Sequence, residues 1–318
     1  MQLNYPLRFK PVFRSYIWGG RRLQTELRKS LPDDGNDYAE SWEVVDHGED
    51  QSVVVNGPLQ GFSLARLVQE HGEDLLGKHH PRERFPLLFK FLDCQRDLSV
   101  QVHPTDEQAA QLVPPDLGKT EAWVILSAEQ GARLYAGLHA NVDRATLEAA
   151  IRSGRLENCL HQIEARVGDC FFIPAGTVHA LAAGLVVAEI QQSSNTTFRL
   201  FDWNRVRADG KPRELHIEQG LAVVDFQRGP VKPTISKNMG SVDRLVNCDK
   251  FVLDRHSIRS AQRIGGDNTC HILAVIDGDI ELNGSSMSKA ETILLPAAHG
   301  PVEVRPASKA ILLDMYLP

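Results

Sequence analysis

Polar and apolar residues alternate in two stretches of the chain, residues 98–103 and 119–126. Such alternation predicts strands, because successive side chains of a strand point to opposite faces. The polar faces carry Ser99, Gln101 and His103 in the first stretch and Lys119 and Glu121 in the second. Apolar residues flank both stretches, so we predict that these polar faces are enclosed. Enclosed polar groups cost free energy unless they are paired, hydrogen-bonded or bound to a metal.

The stretch 168–179, GDCFFIPAGTVH, supplies a third element of the same candidate site. Its pattern predicts a strand over 170–173, a turn at Pro174 and Gly176, and a second strand that starts at His179. The run 85–93 is apolar on both faces apart from Lys90, which predicts a strand that is buried on both sides.

Short strands at regular spacing, separated by glycine turns, continue from residue 161 to residue 203 and indicate an antiparallel barrel or sandwich. Helical spacing of apolar residues, together with N-capping residues, predicts helices in other parts of the chain. The predicted helices lie at 21–28, 61–84, 105–112, 143–153 and 217–223. We therefore predict a mainly β fold with helical insertions.

Glycine and proline are frequent between residues 206 and 240, which predicts a domain boundary there. We predict a first domain over 1–235, with helical insertions at about 61–84, 105–117 and 143–165, and a second domain over 236–318. The second domain repeats the strand-turn-strand pattern of residues 168–179 but lacks the glycine and the histidine. We therefore expect a second, degenerate barrel without a metal.

Composition limits the classes of partner. The 318 residues include 35 basic and 41 acidic residues, with a formal charge of −6, so we expect no nucleic-acid partner. The chain has no uninterrupted apolar run of about 18 residues and its N-terminus is charged, so we expect neither a membrane span nor a signal peptide. The five cysteines are widely spaced and form no CxxC pair, which favours free thiols and a cytoplasmic location.

The third element resembles the second cupin motif at its glycine, proline, glycine and histidine positions. The first cupin motif is altered to Gln101-x-His103, and Glu121 is delayed by an insertion. This departure is similar to type I mannose-6-phosphate isomerase. The resemblance extends over YIWGG, SWE, FPLLFKF, QVHP, GKTEAW and AEIQQSSNTTFRLFDWNR. It implies two cupin domains, which are jelly-roll β-barrels, with the second one degenerate.

The strand pattern and the resemblance together predict one metal site, with Gln101, His103, Glu121 and His179 as ligands. Two imidazoles, a carboxylate and an amide oxygen suit Zn²⁺, and Fe²⁺, Mn²⁺ and Co²⁺ can also bind such a set. A catalytic zinc site keeps an open position for water or substrate, and the positive charge that remains stabilises a developing oxyanion.

The resemblance implies reversible interconversion of mannose 6-phosphate and fructose 6-phosphate, through a cis-enediol. It makes Arg199 a candidate catalytic residue near the reacting carbons, although its guanidinium also suits a phosphate. Lys119 is a second candidate. A lysine that is enclosed beside a cation should have a lowered pKa, which favours its neutral form and would allow base chemistry. The remaining candidates are substrate contacts: Trp18, Lys90, Ser99 and Glu189.

Some alternatives stay open at this point. Lys90 is either a snorkelling residue on an edge strand or an inward residue that faces the phosphate. The rival functions are a cupin dioxygenase that uses Fe²⁺ and a non-catalytic sugar-binding cupin. We expect a small sugar phosphate as the partner and a monomer or small homo-oligomer as the assembly.

Overall fold

The structure is a computed structural model that describes residues 3–206, 210–235, 237–238 and 240–318. The strands of the N-terminal half are β1 (Phe9–Lys10), β2 (Val12–Gly20), β3 (Tyr38–Val44), β4 (Asp46–His47), β5 (Asp50–Gln51), β6 (Val53–Val54), β7 (Leu87–Cys94), β8 (Val100–Val102), β9 (Glu121–Ala128), β10 (Arg133–Leu138), β11 (Leu160–Glu164), β12 (Cys170–Ile173), β13 (His179–Leu181), β14 (Leu185–Gln192) and β15 (Phe198–Phe201). Two sheets contain most of them: a six-stranded sheet in the order β12-β9-β14-β7-β3-β2, and a five-stranded sheet in the order β11-β10-β13-β8-β15. Neighbouring strands pair antiparallel in both sheets.

The C-terminal part repeats this two-sheet arrangement. Its strands are β16 (Lys237–Asn238), β17 (Val242–Asn247), β18 (Val252–Ile258), β19 (Gln262–Ile264), β20 (His271–Asp277), β21 (Ile280–Leu282), β22 (Ser285–Met287), β23 (Thr292–Leu295), β24 (Val302–Pro306) and β25 (Ala310–Tyr316). They form a six-stranded sheet, β16-β17-β18-β25-β20-β23, and a four-stranded sheet, β19-β24-β21-β22. The predicted mainly β fold with two barrels is confirmed. Residue 236, where the second predicted domain begins, lies outside the described residues, and the boundary stays a prediction.

The helices are short and lie between strands. They are α1 (Arg22–Thr25), α2 (Leu64–Leu76), α3 (Asp106–Ala109), α4 (Arg144–Arg152) and α5 (Ile217–Val223), with 3₁₀ turns at Gly77–His79, Leu156–Cys159 and Ala297–His299. Thr105 caps α3 with a capping box, since its side chain accepts from the Gln108 N–H while the Gln108 side chain accepts from the Thr105 N–H. Each of the five predicted helical stretches therefore contains a helix, although α3 ends earlier than predicted.

Buried apolar side chains form several clusters, and three of them show how the two barrels are filled and joined. Within the first barrel, Leu92, Trp123 and Leu134 belong to a buried cluster that both sheets contribute to. A second cluster, with Leu273 and Val304, fills the interior of the second barrel. A third cluster joins α2, the outer face of β7 and the outer face of the second barrel into one core. The two barrels therefore share a large apolar interface.

β7 lies in the interior of its sheet, between β14 and β3, and its eight residues are all buried. Lys90 is only 6% exposed. The interpretation of Lys90 as a snorkelling edge residue is therefore wrong, because its strand has a neighbour on each side and its side chain points into the barrel. No helix in the part of the chain that the structure describes has the length and apolar character needed to cross a membrane.

Candidate metal centre

Strand register places the candidate residues in two rows on the facing sheets of the first barrel. In the five-stranded sheet, Gln101 of β8 lies opposite His179 of β13 on one side and opposite Arg199 of β15 on the other. In the six-stranded sheet, Glu189 of β14 lies between Lys90 of β7 and Trp123 of β9. Cross-strand partners share a face of their sheet, so each row presents its side chains together.

Three side chains meet at the end of these rows. His103 follows β8, Glu121 opens β9 and His179 opens β13, and each is 1% exposed. One carboxylate oxygen of Glu121 lies 3.5 Å from His103 Nε2 and the other lies 3.3 Å from His179 Nε2. One ligand atom from each residue lies within 4.8 Å of the other two. Two imidazoles and a carboxylate at this spacing form a donor set that fits a divalent transition metal.

Backbone carbonyls fix the orientation of both imidazoles. His103 Nδ1 donates to the carbonyl of Thr196 at 2.9 Å, and His179 Nδ1 donates to the carbonyl of Thr177 at 2.9 Å. A carbonyl oxygen only accepts, so the proton of each neutral ring resides on Nδ1. Each Nε2 therefore carries a lone pair that points at the cluster, which is the state a metal ligand requires.

The surroundings keep both imidazoles neutral. Burial lowers the pKa of His103 well below its ordinary value, and the nearby Lys119 and His179 lower it further. Burial also lowers the pKa of His179, to about 4. The hydrogen bond to Thr177 raises this pKa and the nearby Lys119 lowers it, but burial is the largest effect. Both rings are therefore deprotonated at neutral pH and available for coordination.

Gln101 and Lys119 complete the immediate surroundings. The amide nitrogen of Gln101 lies 3.3 Å from His179 Nε2. Rotation of the amide group would bring the amide oxygen, which can bind a metal, to the same position. Lys119 Nζ lies 2.8 Å from Glu121 Oε2 and 3.1 Å from His103 Nε2. A metal ion would compete with the ammonium for these lone pairs, and Glu189 at 4.0 Å offers Lys119 another partner.

The second row holds a buried chain of opposite charges. Lys90 Nζ lies 3.3 Å from Glu40 Oε2 and 3.2 Å from Glu189 Oε1. Trp42 Nε1 donates to Glu40 at 2.5 Å and Trp123 Nε1 donates to Glu189 at 3.2 Å, which orients both carboxylates. Burial alone would lower the pKa of Lys90, but Glu189 and Glu40 outweigh it and hold that pKa above its ordinary value. Lys90 is therefore a fixed cation and not a base.

A cavity of about 290 Å³ opens onto both rows. It is lined by Tyr16, Trp18, Glu40, Lys90, Leu92, Leu98, Ser99, Gln101, Lys119, Glu189, Asn195, Thr197, Arg199 and Arg213. Arg199 Nη1 donates to the carbonyl of Glu214 at 2.8 Å and its Nε donates to Ser99 Oγ at 3.3 Å. Trp18 is 4% exposed and stacks on Tyr16 with ring centroids 5.6 Å apart.

Comparison of the chain with known proteins assigns it to a family. Residues 7–119 match the family model described as phosphomannose isomerase type I, catalytic domain. The chain is 33% identical to mannose-6-phosphate isomerase ManA of Bacillus subtilis over 314 residues, which cover 96% of this chain and 98% of that one. The chain belongs to the type I phosphomannose isomerase family.

Further relatives agree with this family assignment. A mannose-6-phosphate isomerase of Streptococcus mutans is 39% identical over 298 residues, 92% of each chain. The crystal structure of a mannose 6-phosphate isomerase from Bacillus subtilis superposes with a TM-score of 0.89 at 29% identity, over 98% of this chain and 99% of that chain. The two-barrel architecture is therefore that of the phosphomannose isomerases.

The structure brings together every site residue that the sequence predicted for a phosphomannose isomerase. His103, Glu121 and His179 form the buried cluster. The other seven line the cavity: Trp18, Lys90, Ser99, Gln101, Lys119, Glu189 and Arg199. Their assigned roles stay proposals.

Sequence reasoning missed Glu40, Asp116 and Arg213. Glu40 and Arg213 line the cavity, and Arg213 Nε binds Asp202 Oδ2 at 2.7 Å. Glu40 directly precedes the SWE motif and points inward with Lys90, a pairing across 50 residues that no local pattern indicates. Asp116 follows two prolines, and its partners come from four separate segments of the chain.

Proposed function

We propose that this protein interconverts mannose 6-phosphate and fructose 6-phosphate by metal-assisted proton transfer through a cis-enediol. The observation that carries this proposal is the position of the His103, Glu121 and His179 cluster directly behind a polar cavity in a chain of this family. Gln101 and Lys119 line that cavity and contact the cluster. The cavity has room for one small sugar phosphate and holds both acids and bases.

Gln101, His103, Glu121 and His179 would hold one divalent ion, Zn²⁺ in our proposal. When bound, such an ion polarises the carbonyl and hydroxyl oxygens of a sugar and stabilises negative charge that develops on them. Two neutral imidazoles and one carboxylate leave a 2+ ion with a net charge of about +1, which suits that purpose.

The chemistry also requires a proton carrier. In the forward direction the C2 proton of the open-chain aldose leaves to a base and the C1 carbonyl oxygen gains a proton, which gives the enediol. The C2 hydroxyl then loses its proton as C1 gains one, which gives the ketose. We assign the carrier to Arg199 or Lys119, which line the same cavity from facing sheets.

The remaining residues would bind and orient the sugar phosphate. The charged residues that line the cavity are four cations, Lys90, Lys119, Arg199 and Arg213, and two carboxylates, Glu40 and Glu189. This excess of positive charge suits a phosphate dianion. Because the ammonium of Lys90 is shared by two carboxylates, we assign the sugar hydroxyls to Lys90, Glu189, Ser99 and Trp18. We assign the phosphate to Arg213, joined by Arg199 in the case that Lys119 is the proton carrier.

An Arg199→Ala variant tests the catalytic assignment. We expect turnover of mannose 6-phosphate to fall by at least ~100-fold, the lower end for a positioned proton-transfer group, with metal content and melting temperature unchanged. Lys119→Met is the parallel test for the lysine. Near-normal turnover in either variant would remove that residue from the mechanism.

The rival functions predict other results. A dioxygenase would consume oxygen after reconstitution with Fe²⁺, and a sugar-binding protein would bind mannose 6-phosphate without forming fructose 6-phosphate. We expect isomerisation without oxygen uptake. A cytoplasmic location and a monomeric or small homo-oligomeric state remain predictions.

A further inference from the structure

A second, larger cavity lies where the N-terminal strands meet the second barrel. This groove, of about 1030 Å³, is lined by Arg8, Phe9, Lys10, Pro11, Phe13, Ser15, Leu27, Arg28, Lys29, Ser30, Pro32, Tyr38, Val55, Ser288, Lys289, Ala290, Glu291 and Thr292. The metal-centre cavity, at about 290 Å³, is less than a third as large. The groove therefore has room for a ligand larger than a hexose phosphate.

The lining of the groove is positively charged, whereas the whole protein has a net negative charge. Five of its lining residues are cationic and only one, Glu291, is acidic, although the chain as a whole has a formal charge of −6. Among the described residues Lys10, Arg28 and Lys289 form no ion pair. Lys10 and Arg28 are exposed, and Lys289 is half-buried. A cluster of uncompensated cations attracts an anion and is suited to phosphate groups.

The two other cations, Arg8 and Lys29, form ion pairs and hydrogen bonds within the groove lining. Arg8 lies 3.4 Å from Glu291 and donates to the carbonyl of Ser286 at 2.8 Å. Lys29 lies 2.7 Å from the buried Glu43 and donates to the carbonyl of Ala290 at 2.7 Å. Both side chains therefore link the first barrel to the β22–β23 connection and fix the width of the groove.

Aromatic and apolar side chains form the rest of the lining. Phe9 and Phe13 are partly exposed, and Phe13 packs edge-on against Tyr38 with ring centroids 6.0 Å apart. Planar apolar surfaces of this kind stack with flat rings. The lining thus combines a surface for an aromatic ring with a set of cations for phosphates.

We propose that this groove binds a nucleoside di- or triphosphate, with the base against the aromatic side and the phosphates among Lys10, Arg28 and Lys289. The site is separate from the metal-centre cavity but shares a strand with it. β2 presents Phe13 and Ser15 to the groove and Tyr16 and Trp18 to the metal-centre cavity. An occupant of the groove would therefore contact the same strand that forms one wall of the metal-centre cavity.

Titration calorimetry with ADP and GDP tests this proposal, with pyrophosphate and adenosine as the two separated halves of the ligand. We expect a Kd below the millimolar range for at least one nucleotide, and at least 10-fold weaker binding of each half. We expect the double variant Lys10→Gln/Lys289→Gln to weaken nucleotide binding about 10- to 100-fold, since it removes two charge-assisted contacts. Arg28→Gln removes one such contact, so it should weaken nucleotide binding by a smaller factor than the double variant.

Lys309→Gln is the matched control, because it removes one exposed lysine of the second barrel outside the groove. It should leave the Kd unchanged. Saturating mannose 6-phosphate should also leave it unchanged, because the nucleotide does not occupy the metal-centre cavity. Absence of nucleotide binding at millimolar concentration, an unchanged Kd in both groove variants, or displacement by mannose 6-phosphate would overturn the proposal.

Discussion

Asp116 offers the sharpest test of how the fold supports the metal centre, although it touches no ligand. One of its carboxylate oxygens accepts from Ser194 Oγ at 2.8 Å, from Thr196 Oγ1 at 2.9 Å and from the Asn195 N–H at 3.4 Å. The carbonyl of Thr196 in turn accepts from His103 Nδ1. Asp116 therefore holds the segment that fixes the ring orientation of His103, a candidate metal ligand.

The carboxylate is ionised under all ordinary conditions. Burial by itself would raise the pKa of Asp116, but hydrogen bonds from His47, Ser194, Leu117 and Thr196 outweigh it and lower that pKa. Hydrogen bonds to a charged acceptor contribute about 1.5–3 kcal/mol each. Three of them tie down the segment 194–196, so the free energy that orders it is several kcal/mol.

We expect Asp116→Ala to lower the affinity for Zn²⁺ or Co²⁺ by about 10- to 100-fold, the usual effect of losing a partner that orients a ligand. This corresponds to about 1.4–2.7 kcal/mol. The assay is competition with a chelator at pH 7, with the absorption spectrum of the Co²⁺ form as a second readout. Asp116→Asn keeps the shape and one acceptor oxygen, so its loss should be smaller.

Asp143→Ala is the control. Asp143 accepts from the Thr146 N–H at 2.8 Å as the N-cap of α4, so its loss should cost about 1 kcal/mol of folding free energy without weakening metal binding. Metal affinity at the wild-type value in folded Asp116→Ala and Asp116→Asn would refute the reasoning.

Three further predictions concern polar side chains. Lys90→Met leaves two like-charged buried carboxylates without their cation, so it should lower the free energy of unfolding in urea by about 3–5 kcal/mol; no loss would contradict the charge chain. Gln101→Ala should weaken Co²⁺ binding about 10-fold, measured by chelator competition, and an unchanged affinity would exclude the amide as a ligand. In the second barrel, His271 lies 2.7 Å from Asp314 and 3.0 Å from Asp267. Burial by itself would lower the pKa of His271, but the two carboxylates, Asp314 above all, raise it to about 10. Because this pKa lies above the ordinary value of about 6.5, the stabilisation should be full below pH ~6.5 and disappear as the pH rises through 10. The difference in urea stability between wild type and His271→Gln should follow that course, and a pH-independent difference would contradict it.

Local sequence patterns were sufficient to predict the elements that carry the candidate metal ligands. Alternation over residues 98–103 put Gln101 and His103 on one face, and the Pro-x-Gly turn put His179 at the start of β13. Two elements, Cys170–Ile173 and Ile217–Val223, have the predicted bounds. These signals are local because they depend on strand period, turn residues and caps.

Pairings between distant segments could not be predicted in the same way. Lys90 had the right parity for an inward side chain, but its partner Glu40 comes from another strand, 50 residues away. Helix α3 ends early because the insertion closes back on itself, where the Asp116 N–H donates to the carbonyl of Ala109 at 3.2 Å. The lining of the groove joins both barrels, so no single stretch of sequence carries its pattern.

The proposed isomerase activity depends most directly on one divalent ion held by Gln101, His103, Glu121 and His179. The decisive measurement is metal content of the purified protein combined with mannose 6-phosphate isomerisation before chelation, after chelation and after readdition of Zn²⁺. We predict one metal per chain, loss of activity on removal and recovery on readdition. Full isomerase activity in metal-free protein would contradict the account.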